Sequence, residues 1–162
     1  MPGAPVSAAP RFVCDGSLGG LARWLRAAGY EAAWREGLTG EPLLAEGRRT
    51  GAVVLTSDHE VFLRREVVSG RLPALHVPSR SGLLDQLARV LRALALPLRE
   101  PRCMSCGDVL EAVAKDAVRE RIPPRTARWK DEYFVCRGCD RLFWHGTHWE
   151  RIAARLGAAA GV

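Results

Sequence analysis

The chain has 162 residues, of which 48% are hydrophobic, so it is long enough to bury a core in one ordinary domain or two small ones. Its formal net charge is +6, and 22 of its 24 basic residues are Arg. This bias suits contact with phosphate, but the base composition of a genome also produces it. No apolar run approaches the length of a membrane span and no signal peptide is recognisable, so we expect a cytoplasmic protein without a membrane partner.

Residues 1–10 contain three prolines and no periodicity, which predicts a disordered leader. Residues 11–96 then alternate short apolar runs with amphipathic segments, as in a small α/β domain with a mainly parallel sheet. We expect strands at 12–14, 31–34, 52–56 and 74–77, and helices at 18–28, 39–50, 60–68 and 82–94, the last capped by Ser81. Residues 97–102 form a linker, after which the composition changes.

Two C-x-x-C pairs give the strongest chemical signal in the sequence. The pairs are Cys103 with Cys106 and Cys136 with Cys139, separated by the 29 residues 107–135. Four thiolates at this spacing suit a tetrahedral structural zinc site, with redox-active pairs as the alternative. We therefore predict that residues 103–162 form a small zinc ribbon with a C-terminal helix. Cys14, the fifth cysteine, lies in a strand and is interpreted as a core residue.

A second signal is a set of acids placed where strands end or helices begin. Asp15 and Asp58 each follow a buried apolar run, and Glu41 stands at the start of the helix between them. Because parallel strands bring their carboxyl ends to one crevice, these carboxylates can together hold Mg²⁺ or Mn²⁺, which prefer oxygen ligands. Thr56 can orient the metal or its water. For any one of these acids taken alone, a helix cap is the favoured explanation, and their joint placement favours a site.

Two stretches carry a resemblance to a known family. The run D-x-x-L-G-x-L-A-R-W-L-R spans Asp15 to Arg26, and W-x-G-x-H-W spans Trp144 to Trp149. Together with residues 52–65 and the cysteine pairs, they resemble the PIN-like RNase family named after the C-terminal domain of the mut-seven exonuclease. The resemblance implies a PIN-like three-layer domain with a mainly parallel sheet at 11–96, followed by a small zinc ribbon.

The family also implies roles for particular residues. By analogy, Asp15, Glu41 and Asp58 match the acids that bind divalent metal in PIN-like nucleases. Arg23 and Arg26 would contact the RNA backbone or brace the site. The expected function is that of an endoribonuclease in which carboxylate-bound Mg²⁺ or Mn²⁺ activates water against a phosphodiester.

The second half of the chain offers a basic and aromatic surface. Arg128 and Lys130 flank Trp129 and are candidates for RNA contact, although basic loops are often only solvated. His145 and His148 are candidates for contact with RNA, for packing or for exposure to solvent. The expected partner is RNA, with transfer RNA and the ribosome as candidates. The rival interpretations are an RNA- or ribosome-binding factor that does not cleave RNA and an adaptor whose ribbon binds a partner protein. The sequence does not determine the oligomeric state.

Overall fold

A computed structural model describes residues 8–162 of the chain. Most of the predicted leader, residues 1–7, lies outside the described residues, and residues 8–10 have no helix or strand. None of the helices in residues 8–162 combines the length and the apolar character that a membrane crossing requires.

The first sheet contains four parallel strands, as the alternating pattern predicts. Its strands are β1 (Phe12–Cys14), β2 (Ala32–Ala33), β3 (Val53–Thr56) and β4 (Ala74–His76). They lie in the order β2-β1-β3-β4, so the strand order reverses between β1 and β3. Cys14 is aligned with Leu55 of β3, and Thr56 of β3 with His76 of β4. The residues that follow β1 and β3 therefore lie beside each other at the carboxyl edge of the sheet.

Helices cover both faces of this sheet. They are α1 (Gly19–Ala27), α2 (Gly40–Thr50), α3 (Arg65–Val68) and α4 (Leu83–Ala93). Side chains alternate along β1, so Phe12 and Cys14 pack with α1 and α4, whereas Val13 packs with α2 on the other face. Leu18, just before α1, and Leu21, Ala22 and Leu25 on α1 are spaced to lie on one face of a helix, and all four are buried. The result is an α/β arrangement of three layers, and Cys14 lies in its core as predicted.

Two predicted helices differ from the structure in detail. Residues 60–68 do not form one helix: a 3₁₀ helix over His59–Leu63 is separated from α3 by Arg64, whose backbone is extended. Val61 is buried in the core and Phe62 packs partly against it, whereas Leu63 is exposed. The N-cap of α4 is Gly82 and not Ser81, and no side chain caps that helix.

The second sheet is antiparallel and carries the cysteine pairs. It consists of β5 (Leu110–Val113), β6 (Tyr133–Cys136) and β7 (Leu142–Trp144), in that order. Between β5 and β6 lie the 3₁₀ helix Lys115–Arg121 and the short helix α5 (Pro124–Ala127). The basic segment between the cysteine pairs is therefore folded over a small apolar cluster that includes Tyr133.

The last helix, α6 (Thr147–Ala160), returns to the first domain. Its buried residues Ile152, Leu156 and Ala159 belong to the same apolar cluster as α1 and α4. The predicted division of the chain at residues 97–102 remains a prediction. The hydrophobic core nevertheless extends across it, because α6 completes the layer that covers one face of the parallel sheet.

Candidate active site and metal centre

The four cysteines of the two pairs converge on one point. Their four Sγ atoms all lie within 4.8 Å of one another, as expected for ligands of a single ion. The Sγ atoms of Cys103 and Cys139 are 3.7 Å apart, and those of Cys106 and Cys136 are 3.3 Å apart. Zinc–sulfur bonds of about 2.3 Å in a tetrahedron place sulfur atoms about 3.8 Å apart. The cluster therefore fits zinc.

The two knuckles share one backbone pattern. In the first, the N–H of Cys103 donates to the carbonyl of Asp108, and the N–H of Gly107 donates back to the carbonyl of Cys103 at 2.8 Å. The second repeats this with Cys136 at the position of Cys103, and Asp140 donates to its carbonyl at 3.0 Å. Gly107 and Asp140 both have positive φ angles, of 87° and 56°. A left-handed residue turns the chain back at the same point of each knuckle.

The electrostatics of the cluster also suit a cation. Burial raises the pKa of Cys103, but hydrogen bonds from the backbone of Cys106 and Ser105 and from neighbouring thiols outweigh it and lower the pKa to about 7. At Cys106 a backbone hydrogen bond from Asp108 lowers the pKa, yet burial and the neighbouring thiols raise it to about 12. The Cys103 thiolate therefore forms readily, and the neighbouring thiols oppose the ionisation of Cys106. A bound cation removes that conflict.

Arg26 connects the four-cysteine cluster to the parallel sheet. It is only 7% exposed, although it is a charged residue on α1. Its Nε donates to the carbonyl of Ala32 at 2.9 Å, and its Nη1 donates to the carbonyls of Met104 and Ser105 at 3.1 and 3.0 Å. Burial lowers the pKa of this guanidinium, and the thiols of Cys14 and the first knuckle raise it. Its side chain therefore braces the first knuckle against β2, and the prediction that Arg26 contacts RNA stays a prediction.

The carboxylate of Asp15 is almost fully enclosed. Asp15 is 4% exposed, and its Oδ1 accepts hydrogen bonds from the N–H of Ser17 at 2.8 Å and from the Ser17 hydroxyl at 2.5 Å. Its Oδ2 accepts from the hydroxyl of Thr56 at 2.6 Å and from the N–H of Ser57 at 3.0 Å. Four donors offset the cost of burying the charge. Asp15 thus caps the 3₁₀ helix Gly16–Leu18, which is one of the two roles that the sequence leaves open.

Asp58 lies on the same edge and is joined to Asp15 through one hydroxyl. The Oγ1 of Thr56, which donates to Asp15, accepts the N–H of Asp58 at 3.0 Å. The Asp58 carboxylate is exposed and caps the next 3₁₀ helix by accepting the N–H of Glu60 at 2.9 Å. The acids that follow β1 and β3 are therefore held as one hydrogen-bonded group, with Asp15 inside and Asp58 facing solvent.

Glu41 is engaged elsewhere. It lies in the first turn of α2, and its carboxylate pairs with Arg48, two turns further along the same helix. Arg48 also pairs with Glu66 at 2.6 Å. Within residues 8–162, the four cysteines are the only group of three or more His, Cys, Asp or Glu side chains whose ligand atoms lie that close together. The three acids are thus not gathered around one point in this structure.

Two histidines at the same edge were not expected from the sequence. His59 directly follows Asp58, and His76 ends β4 beside Thr56. Their rings are stacked, with centroids 4.3 Å apart and planes at 20°. The convergence of the carboxyl ends of parallel strands, which predicted the positions of the acids, also applies to these histidines, because His59 closely follows β3 and His76 ends β4.

The other predicted RNA contacts fall on two separate surfaces. Arg23, His145 and His148 line one cavity between α1 and the start of α6. Arg128 and Lys130 lie beyond α5, next to the 82% exposed Trp129, and are not among the residues that line it. The residues predicted to contact RNA therefore lie partly in the cavity and partly outside its lining.

The fold and the two sites define an α/β protein with a four-strand parallel sheet, an acidic carboxyl edge and a four-cysteine metal module. A family model described as Mut7-C RNAse domain matches residues 10–156, nearly the whole chain, and the chain belongs to that family. The resemblance carried by the two sequence motifs is thereby confirmed. The family description indicates an RNase-type function with RNA as substrate. Searches of curated proteins and of solved structures gave no match.

Proposed function

We propose that this protein is a metal-dependent endoribonuclease whose reaction takes place at the carboxyl edge of β1 and β3. One observation supports this most strongly: the Thr56 hydroxyl links Asp15 and Asp58 across the two strands. This position is where the strand order reverses, and open α/β sheets bind their ligands at such points. Membership of an RNase domain family supplies the substrate class.

The residues at this edge have the chemistry that Mg²⁺ or Mn²⁺ needs. Asp15, Asp58 and the hydroxyls of Ser17 and Thr56 all offer oxygen, which these ions prefer. The hydroxyls that donate to Asp15 can rotate and free its lone pairs. Glu41 would join only by exchanging Arg48 for the ion. Asp15 and Asp58 are therefore the proposed principal ligands, and Glu41 is an auxiliary one.

When bound, the ion would lower the pKa of a water molecule and stabilise charge on the phosphodiester. The chain itself supplies the positioning. Four donors fix the Asp15 carboxylate, whereas the exposed Asp58 remains accessible to substrate. His59 and His76, stacked on the same edge, are placed to exchange protons with the reacting groups.

The test is cleavage of labelled RNA by the zinc-loaded chain with Mg²⁺ or Mn²⁺. Asp58→Asn is the decisive variant, because it keeps the size of an exposed side chain and removes its charge. Glu60→Gln is the matched control, since Glu60 is an exposed acid two residues away. Cleavage that requires metal, is lost in Asp58→Asn and persists in Glu60→Gln would support the proposal. Binding of RNA without cleavage at any metal concentration would refute it.

The second candidate is an RNA- or ribosome-binding factor without turnover. It is favoured by the engagement of each acid in the structure: Asp15 already accepts four hydrogen bonds, and Glu41 is paired with Arg48. In this interpretation the acids only stabilise the fold. The cleavage assay separates the two, because a binding factor retains its affinity for RNA and produces no fragments.

A further inference from the structure

A cavity of about 430 Å³ lies between α1, the first zinc knuckle and the start of α6. Its volume falls within the range of about 300–1,000 Å³ that is typical of small-ligand sites. One wall is aromatic: the rings of Phe134 and His145 are 5.2 Å apart, and His145 is stacked on Trp149 at 5.7 Å with the planes at 20°. Trp144 contributes a further ring. Half of the His145 side chain is exposed, so the wall is accessible from solvent.

The charge around this wall is positive. Arg23 and Arg102 line the cavity, and no Asp or Glu occurs among the described residues that line it. An acid near the wall, Glu132, lies 3.9 Å from Nδ1 of His145. Flat aromatic groups beside guanidinium groups are the combination that binds single-stranded nucleic acid, since bases stack and phosphates pair with Arg.

The cavity is connected to the proposed active site along α1. A second depression shares Arg23, Met104 and Ser105 with the cavity and extends to Gly19, Gly20 and Trp34. Trp34 reaches the active-site edge, because its Nε1 donates to the carbonyl of Gly16 at 3.1 Å. Arg141 also lines this depression. A continuous surface bearing arginines therefore leads from the aromatic wall to the loop that follows Asp15.

We propose that the cavity holds one unpaired nucleobase of single-stranded RNA against the wall of Phe134, His145 and Trp149, with the adjoining phosphate at Arg23. The inference rests on the proposed function for its choice of RNA as ligand. It adds that the bound strand is unpaired at a point remote from the cut, because a base within a duplex cannot enter a cavity of this kind. The α6 helix and the ribbon then select single-stranded substrate, while the α/β domain supplies the reactive edge.

Binding of short oligonucleotides tests the inference without relying on cleavage. The zinc-loaded chain is titrated, without added Mg²⁺ or Mn²⁺, with an adenosine octaribonucleotide and with an octamer of the same charge that lacks its bases. The variants Phe134→Leu and His145→Ala alter the wall, and His145 is exposed enough for its variant to fold. Trp129→Ala is the matched control, because it removes an aromatic ring outside the cavity lining.

The wild-type chain is expected to bind the complete octamer about tenfold more tightly than the abasic one, since one stacked base is worth a factor of that order. In both wall variants the ratio of the two affinities should fall from about ten to about three or less. In Trp129→Ala the ratio should stay at about ten. Arg23→Gln should weaken both octamers. Equal affinity of the wild type for the two octamers, or an equal loss for both in the wall variants, would overturn the inference.

The outcomes for the two proposals are distinguishable. If Asp58→Asn abolishes cleavage but the octamers bind equally, the nuclease stands and the base site is refuted. If the wall variants abolish the preference for bases and no metal produces cleavage, the base site stands and the protein is an RNA-binding factor.

Discussion

The clearest prediction concerns Arg26, which we expect to hold the zinc module onto the α/β domain. The perturbation is Arg26→Met, which keeps an unbranched side chain at a buried position of α1 and removes the guanidinium. Three carbonyl groups lose their donor, those of Ala32, Met104 and Ser105. Arg23→Met is the matched control, because Arg23 lies one turn earlier on the same helix and is exposed.

The magnitude follows from the burial of those carbonyls. The bond to Ala32 is fully buried, and a buried acceptor left without a donor costs about 1–3 kcal/mol. The bonds to Met104 and Ser105 are partly buried, so water can replace part of each, and each contributes about 0.5–1 kcal/mol. Removing a buried charge recovers some of this cost. We therefore expect the free energy of unfolding to fall by about 2–4 kcal/mol.

Urea unfolding followed by tryptophan fluorescence measures this change, and a chromogenic chelator measures the rate of zinc release. The Arg26→Met chain should release zinc several times faster than the wild type, because the first knuckle loses its support. The Arg23→Met chain should match the wild type in both assays. If Arg26→Met unfolds at the wild-type urea concentration and keeps its zinc equally long, the bracing role is wrong.

Three further predictions concern the buried thiol, the metal centre and the acids. After zinc is removed by a chelator, Ellman's reagent should react with the exposed Cys106 and Cys139 of the folded chain well before it reacts with Cys14, which is fully buried; modification of Cys14 at the same rate would contradict its place in the core. Zinc affinity should fall as the pH is lowered, and more steeply below about 7, where Cys103 also takes up a proton that competes with zinc; equilibrium dialysis at several pH values checks this, and an affinity independent of pH would contradict it. Asp15→Ala should reduce the free energy of unfolding by about 2–4 kcal/mol because it leaves buried donors unpaired, whereas Asp58→Ala should cost about 1 kcal/mol, the loss of an exposed cap; equal costs in urea unfolding would count against the different burial of the two acids.

The parallel sheet and the four-cysteine cluster were predictable because local patterns determine them. The apolar stripe from Leu18 to Leu25 follows from helical spacing, and the runs that end at Cys14 and Thr56 are those of strands buried on both faces. The paired knuckles follow from C-x-x-C spacing alone. In each case the residues that make the feature are close together in the chain or are repeated in a recognisable unit.

The role of Arg26 could not be predicted in this way. Its partners Met104 and Ser105 lie 78 and 79 residues away, so the motif shared with a nuclease family left open whether Arg26 contacts RNA or braces the site. The pairing of Glu41 with Arg48 is compatible with their spacing in the sequence, since the two residues are two helical turns apart. Its contact with Glu66 through Arg48 depends on how α2 and α3 pack. The stacked pair of His59 and His76 likewise requires β3 and β4 to be neighbours.

The sequence by itself determined most strands and helices around the parallel sheet, much of the core and the four-cysteine cluster, because hydrophobic periodicity and cysteine spacing act over a few residues. Only the tertiary structure decided which charged side chains face solvent and which are buried. That choice depends on partners from distant segments. Asp15 is buried because Thr56 at the end of β3 and Ser57 after it donate to its carboxylate, and Arg26 is buried because the first cysteine knuckle presents its carbonyls there. A charge is buried only where such partners offset its loss of hydration.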